Sequence, residues 1–540
     1  MKRIFLTAAI LFTGSGIWAQ NLNPTVEVTN IYAREATGIE KPGQLLQLPD
    51  SVFQFNLDFD YSVNRTPYKG AYEFHPYLVQ LRPMDRPVSE GSLFLRAGAG
   101  YSLHPELTAV WTPLSKDGFR LNLYGDHKSY LGKYQNIGLD GQSVWTADGT
   151  TRSGRNLRTA VGADILWNFT GATLLADVQY QNITASDLYA NALSNNRLVA
   201  EARIRSQAGS AFAYEAGTRL AFVNAPNGFA ETRTLTDAMA GMHLGVNYLK
   251  IGLSAETVSQ PAGTVGLIGI APHYILSVGG FNMDLGAKLS FRISSDDLFC
   301  PQRAGLIIPD VRVSYELIPD AMQLRLFATG GNNLVSYDSL LSRNPFIAGF
   351  GWNTDIHIER LNVGGGIRGN LAAKFHYDLK LGYKWNQNAW TWGYDLGDAP
   401  AMGYIGHLHT FYADAQLGWQ TDRLDVAANI YYGYTPAPKV ETPLQERLFA
   451  PAPFRAQAHA YYNWGGRIRA GVTLEARDKM ECKYSSIPGY LDLGLGGELQ
   501  MSRNLGLWLR AGNLLNQTIE RIPFYAENGP YFTIGATWTL

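Results

Sequence analysis

The sequence has little of what defines several common classes of protein. Only two of its 540 residues are cysteine, too few for a disulfide-stapled scaffold. Charged residues make up 17%, below the ~25% of ordinary soluble domains. The formal net charge of −1 gives no electrostatic basis for binding nucleic acid. Beyond the N-terminus, no apolar run approaches the ~20 residues that a transmembrane helix needs.

The chain is instead rich in glycine and aromatic residues. It contains 56 glycines and 30 tyrosines, aromatic residues make up 12%, and 46% of the chain is hydrophobic. Such a chain can bury a large apolar area, which excludes a disordered protein. Because spanning helices are absent as well, the composition favours β-structure, one form of which lies in membranes.

Residues 1–20 have the pattern of a signal peptide. Basic Lys2 and Arg3 precede a short apolar segment, and small residues lead to a plausible cleavage site after Ala19. No cysteine lies near that site, so a lipid anchor is not expected. We therefore predict export and exclude this segment from the fold.

From residue 91 onward, segments of about ten residues alternate apolar with polar or small side chains. In the segment 91–102, leucine, alanine and tyrosine side chains share one face, and Arg96 and the glycines share the other. In the segment 196–206, Leu198 and its apolar neighbours lie opposite Arg197 and other charged residues. This period of two predicts strands with one apolar face and one wet face.

The connections between these segments come in two lengths. Very short ones lie at 279–282, 317–322, 420–423, 464–467 and 501–504, and long ones lie at 126–154, 331–360, 385–406, 435–453 and 514–530. A soluble β-sandwich has no reason to separate loop lengths by end, whereas a transmembrane barrel has tight periplasmic turns and long outer loops. We predict an all-β, antiparallel transmembrane barrel of the outer-membrane type at 91–540, with about 22 strands (18–22).

Aromatic residues cluster near the ends of the predicted strands. These are Tyr101, Trp111, Trp167, Trp352, Trp385, Trp390, Trp392, Trp419 and Trp464. Rings with an apolar body and a polar edge prefer the headgroup region of a bilayer. The pattern therefore favours aromatic girdles at the membrane interface.

The last segment, 531–540, alternates as a closing strand. Thr533, Gly535, Trp538 and Leu540 resemble the terminal signal that outer-membrane barrels present to their assembly machinery. That signal usually ends in an aromatic residue, whereas this chain ends in leucine. The expected partners are therefore the assembly machinery and outer-membrane lipid.

Residues 510–540 resemble the C-terminus of TonB-dependent outer-membrane receptors. Asn513, Leu514, Leu515 and Asn516 match a motif late in that barrel, and the Gly529–Pro530 step matches the loop before its closing strand. A count near 22 strands also fits. The resemblance implies transport across the outer membrane of a Gram-negative bacterium, by a barrel that reaches the membrane after signal-peptide cleavage.

The N-terminal part departs from that family. Its members carry a plug domain inside the barrel, whereas only residues 21–90 are available here and carry no plug signature. We predict a short periplasmic or lumenal segment, reduced and plug-like. Barrels of 22 strands are normally plugged, so a reduced segment, infolded outer loops or another protein must fill the lumen, or the pore is open.

Residues 24–30 resemble a TonB box, the extended segment that adds as a strand to an energy transducer. Its candidate residues are Thr25, Val26, Glu27, Val28 and Thr29. Such short patterns also occur in ordinary linkers and strands. A TonB-type transducer is therefore one candidate partner, and a periplasmic or lipoprotein partner is another.

No set of residues indicates an enzyme, a cofactor or a metal. No serine, histidine and aspartate grouping stands out as catalytic. His407 and His409 share a face of a strand but have no third ligand nearby in the sequence. We predict no enzymatic activity and name no catalytic, cofactor-binding or metal-binding residue.

Three functions remain open from the sequence. The first is uptake of an unidentified ligand, with Trp390, Trp392 and Tyr394 of the 385–406 connection as candidate contacts; those rings serve equally well as the core of a loop. The second is a passive, porin-like channel. The third is a barrel that anchors a periplasmic or surface partner and transports nothing.

Overall fold

The computed structural model describes residues 93–540 apart from short gaps. These gaps are 102–103, 190, 208–211, 246, 295–304, 320, 348–353, 373, 396–399, 437–441 and 528. The predicted signal peptide, the 21–90 segment and the TonB-box-like residues Thr25–Thr29 lie outside the described residues, as does Cys300, so these expectations stay predictions.

The described residues form strands joined by turns and loops. The first thirteen strands are β1 (Leu93–Tyr101), β2 (Glu106–Lys116), β3 (Phe119–Leu139), β4 (Trp145–Phe169), β5 (Ala172–Ser186), β6 (Ala192–Ser206), β7 (Phe212–Asn224), β8 (Ala230–Leu244), β9 (Asn247–Gln260), β10 (Gly263–Val278), β11 (Phe281–Ser294), β12 (Gly305–Ile318) and β13 (Met322–Val335). The others are β14 (Asp355–Leu371), β15 (Phe375–Tyr394), β16 (Pro400–Gln420), β17 (Leu424–Tyr434), β18 (Phe454–Trp464), β19 (Ile468–Arg477), β20 (Met480–Glu481), β21 (Ser486–Ile487), β22 (Tyr490–Gln500), β23 (Leu505–Gly512), β24 (Ile519–Ile522), β25 (Tyr525–Glu527) and β26 (Tyr531–Thr539). A short helix, α1 (Tyr337–Leu341), follows β13, and 3-10 turns occupy Pro226–Gly228 and Gln445–Arg447.

Twenty-two of these strands form one closed antiparallel barrel. Each barrel strand pairs with the next one along the chain, and β20, β21, β24 and β25 belong to the connecting loops. The barrel closes where β1 pairs with β26, with Ala97 opposite Ala536. The predicted all-β transmembrane-type barrel and its count of about 22 strands are therefore confirmed.

The two ends of the barrel differ as the connection lengths predict. All five short connections predicted from the sequence are turns at one end, for example between β18 and β19. The turn between β10 and β11 consists of Gly279 and Gly280, both with positive φ (56° and 84°), which a two-residue hairpin turn of matching twist requires. We call the opposite end, where the long connections lie, the outer end.

Two of the predicted long loops are wrong. Most of 126–154 and of 385–406 is strand, because β3 and β4 stay paired from Phe119–Trp167 to Leu139–Trp145, and β15 and β16 stay paired up to Tyr394–Pro400. These hairpins extend past the roughly ten residues that cross a bilayer. The strand pairing therefore continues beyond the part of each hairpin that crosses a bilayer.

Apolar side chains of the barrel point outward and polar ones point into the lumen. Arg96 is buried in the lumen, whereas the alternating Tyr101 is 65% exposed on the outside. Trp167, Trp419 and Trp464 lie exposed near the short-turn end, which is the arrangement of an interfacial aromatic girdle. Trp352 lies outside the described residues. None of the helices among the described residues is long and apolar enough to cross a membrane.

Candidate functional site: the covered outer mouth

Long loops meet over the outer end of the barrel and share an apolar core. This core, which we call the mouth cluster, consists of Tyr130, Tyr134, Trp145, Ala185, Phe346, Tyr394, Phe449, Ala452, Met480, Ile487, Phe524 and Tyr525. Its members come from the tops of β3, β4, β5 and β15 and from the loops after β13, β17, β19 and β23. Residues far apart in the sequence therefore bury one another above the lumen, which holds the loops together.

The loop between β13 and β14, of which the structure describes residues 336–347 and Thr354, crosses the mouth. Its Phe346 stacks on Tyr525 with ring centroids 3.8 Å apart and packs edge-on against Tyr134 of β3 at 5.8 Å. Strands β13 and β3 are ten places apart in a ring of 22, so they lie almost opposite each other. The loop therefore bridges the lumen near its diameter.

Helix α1 fixes this crossing loop to the wall between β13 and β3, at strands β6 and β8. Glu231 of β8 accepts hydrogen bonds from the backbone N–H groups of Tyr337 and Asp338, both at 2.8 Å, and Ser336 caps the helix by accepting from the Ser339 N–H at 3.1 Å. These contacts satisfy N–H groups that have no partner within the helix. The apolar side of the helix packs in a second buried cluster of Ile183, Val223, Val335, Tyr337, Leu340, Leu341, Ile347 and Trp390.

Buried ion pairs complete the attachment of α1. The carboxylate of Asp338, 1% exposed, contacts Arg197 of β6 and lies 3.5 Å from Arg233 of β8. Arg233 also pairs with Glu256 of β9 at 2.6 Å. Burial by itself raises the pKa of Asp338, but the guanidinium groups of Arg197, Arg233 and Arg219 outweigh it and hold that pKa below its ordinary value. The Asp338 carboxylate is therefore ionised at neutral pH.

A cavity lined by arginine and tryptophan opens within the loop layer. Its walls are Arg343, Trp390, Trp392, Ala452, Arg455, Arg477, Met480, Arg521, Ile522 and Pro523. Arg521 pairs with two carboxylates, Asp492 and Glu475. Four arginines face this cavity, and the lining residues that the structure describes include no acidic one. Such a cavity attracts anions, and its indole rings offer flat apolar contact.

The predicted contact residues lie at this layer but not on a free loop. Trp390 and Trp392 line the cavity, with ring centroids 5.0 Å apart, and Trp390 Nε1 is buried without a hydrogen-bond partner among the described residues. Tyr394, 1% exposed, packs instead against Trp145 in the mouth cluster. All three belong to β15. That these rings contact a ligand stays a prediction. The buried position of Tyr394 agrees with the alternative, in which the rings form the core of a loop.

The arginines of the cavity were not predicted from the sequence. Arg343, Arg455, Arg477 and Arg521 belong to four separate segments of the chain, and each has an ordinary sequence neighbourhood. Only the convergence of the outer loops brings them together.

The motif shared with TonB-dependent receptors forms a tight turn after β23. Asn513 and Asn516 both have positive φ (49° and 52°), a conformation that asparagine tolerates better than most residues. The Asn513 amide group also binds its own loop, since Nδ2 donates to the carbonyl of Gln517 at 2.8 Å and Oδ1 accepts from the Gln517 N–H at 2.9 Å. The two asparagines therefore shape the loop that carries β24 and β25 to the mouth.

The other predicted positions lie on the barrel wall. Thr533 is fully buried on the lumen side, Gly535 shares that face beside Trp508, and Trp538 and Leu540 lie exposed on the outside. Their role as an assembly signal stays a prediction. His407 and His409 lie exposed on one face of β16, against Trp385 and Tyr383, and the described residues include no group of three or more ligands for a metal ion.

Glu520 makes the loop layer sensitive to pH. Its side chain is 2% exposed, and burial raises its pKa from 4.5 to about 7, although the Phe524 N–H and Arg477 favour the charged form. Oε1 has no hydrogen-bond partner among the described residues. A raised pKa stabilises the closed layer only while the carboxyl is neutral, so closure weakens as the pH rises from about 4.5 through about 7, by at most about 3 kcal/mol.

We therefore expect hydrogen exchange at residues 513–527 to be faster at about pH 8 than at about pH 5, beyond the intrinsic change in exchange rate. Glu520→Gln should remove this difference, since its amide stays neutral. Glu446, whose pKa is lowered by its hydrogen bond with Lys483, serves as the matched control: Glu446→Gln should keep the difference. Equal pH dependence in both variants would contradict the assignment to Glu520.

The architecture defines the class of protein. It is a closed barrel of 22 antiparallel strands, with short turns at one end and long loops that meet over the other. It is the architecture of the receptor barrels that bacteria place in their outer membranes.

Several solved structures of receptors and transporters are similar to this structure. The structure is similar to that of the siderophore receptor PirA from Acinetobacter baumannii, with a TM-score of 0.63 and 9% identity over 84% of this chain and 81% of that one. It is also similar to the FrpB iron transporter from Neisseria meningitidis, with a TM-score of 0.62 and 9% identity over 84% and 83% of the two chains. A mutant of the ferric enterobactin receptor PfeA from Pseudomonas aeruginosa, in complex with enterobactin, matches with a TM-score of 0.61 and 11% identity over 84% and 82%.

These similarities confirm the predicted resemblance to TonB-dependent receptors at the level of the fold. No protein-family model matches the sequence, and no curated protein matches it. At sequence identities of 9–11%, these similarities establish the barrel architecture and do not identify the ligand.

Proposed function

We propose that the protein is an outer-membrane transport barrel that takes up a ligand from outside the cell through a gated mouth. The observation that carries this proposal is the 336–354 loop, which crosses the lumen and stacks Phe346 on Tyr525. A barrel that serves only as a passive pore gains nothing from a buried apolar layer over its mouth. A receptor needs such a layer to bind its ligand and to close behind it.

The cavity of four arginines and two tryptophans favours an anionic ligand with flat apolar parts. The similar structures are described as a siderophore receptor, an iron transporter and a ferric enterobactin receptor. Iron chelates with negative charge are therefore the first ligands to test. Barrels that only anchor a partner remain the second candidate, because a covered mouth suits an occluded scaffold as well.

Energy coupling is proposed through the N-terminal segment 24–30. Replacing Thr25–Thr29 by glycine and serine should abolish uptake of radioactive iron offered as the chelates in the supernatant of iron-starved cells, because an extended β-prone strand is what a transducer pairs with. The same replacement at residues 31–35 is the matched control and should leave uptake intact. Both variants should keep the altered gel mobility on boiling that a folded barrel shows.

The outcomes separate the candidates. Uptake that survives replacement of Thr25–Thr29 would contradict energy coupling and leave a passive route. A protein that assembles, takes up no chelate in native form and conducts no ions in planar bilayers would support the scaffold instead.

A further inference from the structure

Four arginines lie side by side on the lumen wall below helix α1. Arg158, Arg197, Arg219 and Arg233 belong to β4, β6, β7 and β8, and their strands alternate with exposed outward residues, so these side chains point inward. Gln181 of β5 lies between the first two, and its Oε1 accepts from Arg158 at 3.5 Å and from Arg197 at 3.3 Å. Arg219 lies within electrostatic range of Arg197 and Arg233. We call these four residues the arginine patch.

The wall itself offsets only part of this charge. Arg233 pairs with Glu256 at 2.6 Å, and Glu201, the carboxylate opposite Arg219 on β6, lies 3.9 Å from Arg203 instead. Within the described part of the chain, Arg158 and Arg219 form no ion pair. Asp126 of β3 and Glu201 act on Arg158 and Arg219 only through space, so no direct ion pair neutralises these two guanidinium groups within the described residues.

Two further carboxylates lie at the patch. One already accepts hydrogen bonds from other groups, and the other belongs to the crossing loop and not to the barrel wall. Glu231 accepts from Gln260 at 2.6 Å and from two N–H groups of α1. Asp338 belongs to the crossing loop and inserts its carboxylate between Arg197 and Arg233. It occupies the position that the carboxylate or phosphate group of a ligand takes in an arginine site.

We propose that the arginine patch is an anion-binding site of the lumen, that Asp338 fills it when the mouth is covered, and that a soluble anion with at least two acidic groups displaces Asp338 and thereby weakens the attachment of the crossing loop. The site faces the lumen and not the lipid, so its ligand comes from solution. Displacement removes the ion pairs of α1, while the apolar packing of Leu340 and Leu341 and the bonds from Glu231 remain.

The number of charges on the ligand follows from competition. Asp338 is tethered to the site, so its effective concentration is high and an anion with one acidic group does not displace it at low concentration. An anion with two or more groups also binds Arg158 and Arg219, which Asp338 leaves without an ion pair. The proposal goes beyond the proposed function, because the site exists whether or not uptake is coupled to energy.

The experiment measures binding of inorganic pyrophosphate to the full-length mature protein in detergent by calorimetry. Asp338→Asn removes the competing charge with little change in shape, and we expect pyrophosphate to bind at least about tenfold more tightly than to the native protein. Glu446→Gln is the matched control, since it removes one carboxylate that pairs with Lys483 in the loop after β17, away from the patch, and it should leave affinity unchanged.

A second substitution locates the bound anion. Arg219→Gln in the Asp338→Asn background should cancel most of the gain, because Arg219 lies within electrostatic range of Asp338 and forms no direct ion pair with a described residue, so its guanidinium group is available to the ligand. The proposal would be overturned if pyrophosphate bound the Asp338→Asn variant no more tightly than the native protein. It would also be overturned if adding Arg219→Gln left the affinity of that variant for pyrophosphate unchanged.

If Asp338→Asn does not assemble, Arg219→Gln alone decides the question. It should weaken binding of pyrophosphate to the otherwise native chain, and unchanged affinity would overturn the site. Because binding is measured in detergent without transport, failure here leaves the proposed uptake function standing, and failure of uptake leaves the site standing.

Discussion

Replacing residues 336–354 by an Asn-Gly turn is expected to give the barrel a large, steady ion conductance in planar bilayers. Val335 and Asp355 are directly paired, so a two-residue turn can close the β13–β14 hairpin without disturbing the register below it. The substitution removes α1 and Phe346, the parts that cross the mouth. A barrel of 22 strands has a lumen wide enough for water and ions once nothing bridges it.

The matched control shortens a loop that does not cross the lumen. Ser186 and Ala192 are paired at the end of β5 and β6, so the same Asn-Gly turn can replace residues 187–191. This variant should conduct no more than the native protein. A crossing-loop variant that assembles but stays non-conducting would show that something other than the loop, such as the N-terminal segment or another protein, closes the lumen.

The barrel could be predicted because its causes are local in the sequence. Period-two alternation arises wherever one face of a strand meets lipid and the other meets water, as in β1 with Arg96 inward and Tyr101 outward. Short turns such as Gly279–Gly280 can be recognised in a single sequence from their residue types. Counting the alternating segments and the turns between them therefore predicts about 22 strands.

The mouth could not be predicted in the same way, because its causes are not local. Phe346 meets Tyr525, which lies 179 positions further along the chain, and nothing near either residue specifies the other. The same holds for Asp338 and Arg197, which are 141 positions apart. The upper part of hairpin β15–β16 does not show the alternation that defines a membrane strand, because consecutive residues such as Ala389, Trp390 and Thr391 are all buried in the loop layer.

Placing arginine on the two faces of β5 should test the barrel most directly. Val178 is 51% exposed on the outside, six residues above the short-turn end of β5, which places it near the middle of a bilayer. Val178→Arg should therefore lower the free energy of unfolding in lipid by about 2–4 kcal/mol, the cost of a charge at the midplane of a barrel wall. Urea titration in liposomes, read by tryptophan fluorescence and gel mobility, measures the change.

The adjacent residue provides the control, since one step along a strand reverses the face. Gln179 points into the lumen, where Tyr124 and Asp177 are close, and the new cation of Gln179→Arg meets water and a carboxylate there. Its unfolding free energy should change far less than that of Val178→Arg. Equal destabilisation of both variants, or none in either, would mean that the outward face of β5 does not contact lipid, and the transport proposals would then lose their structural basis.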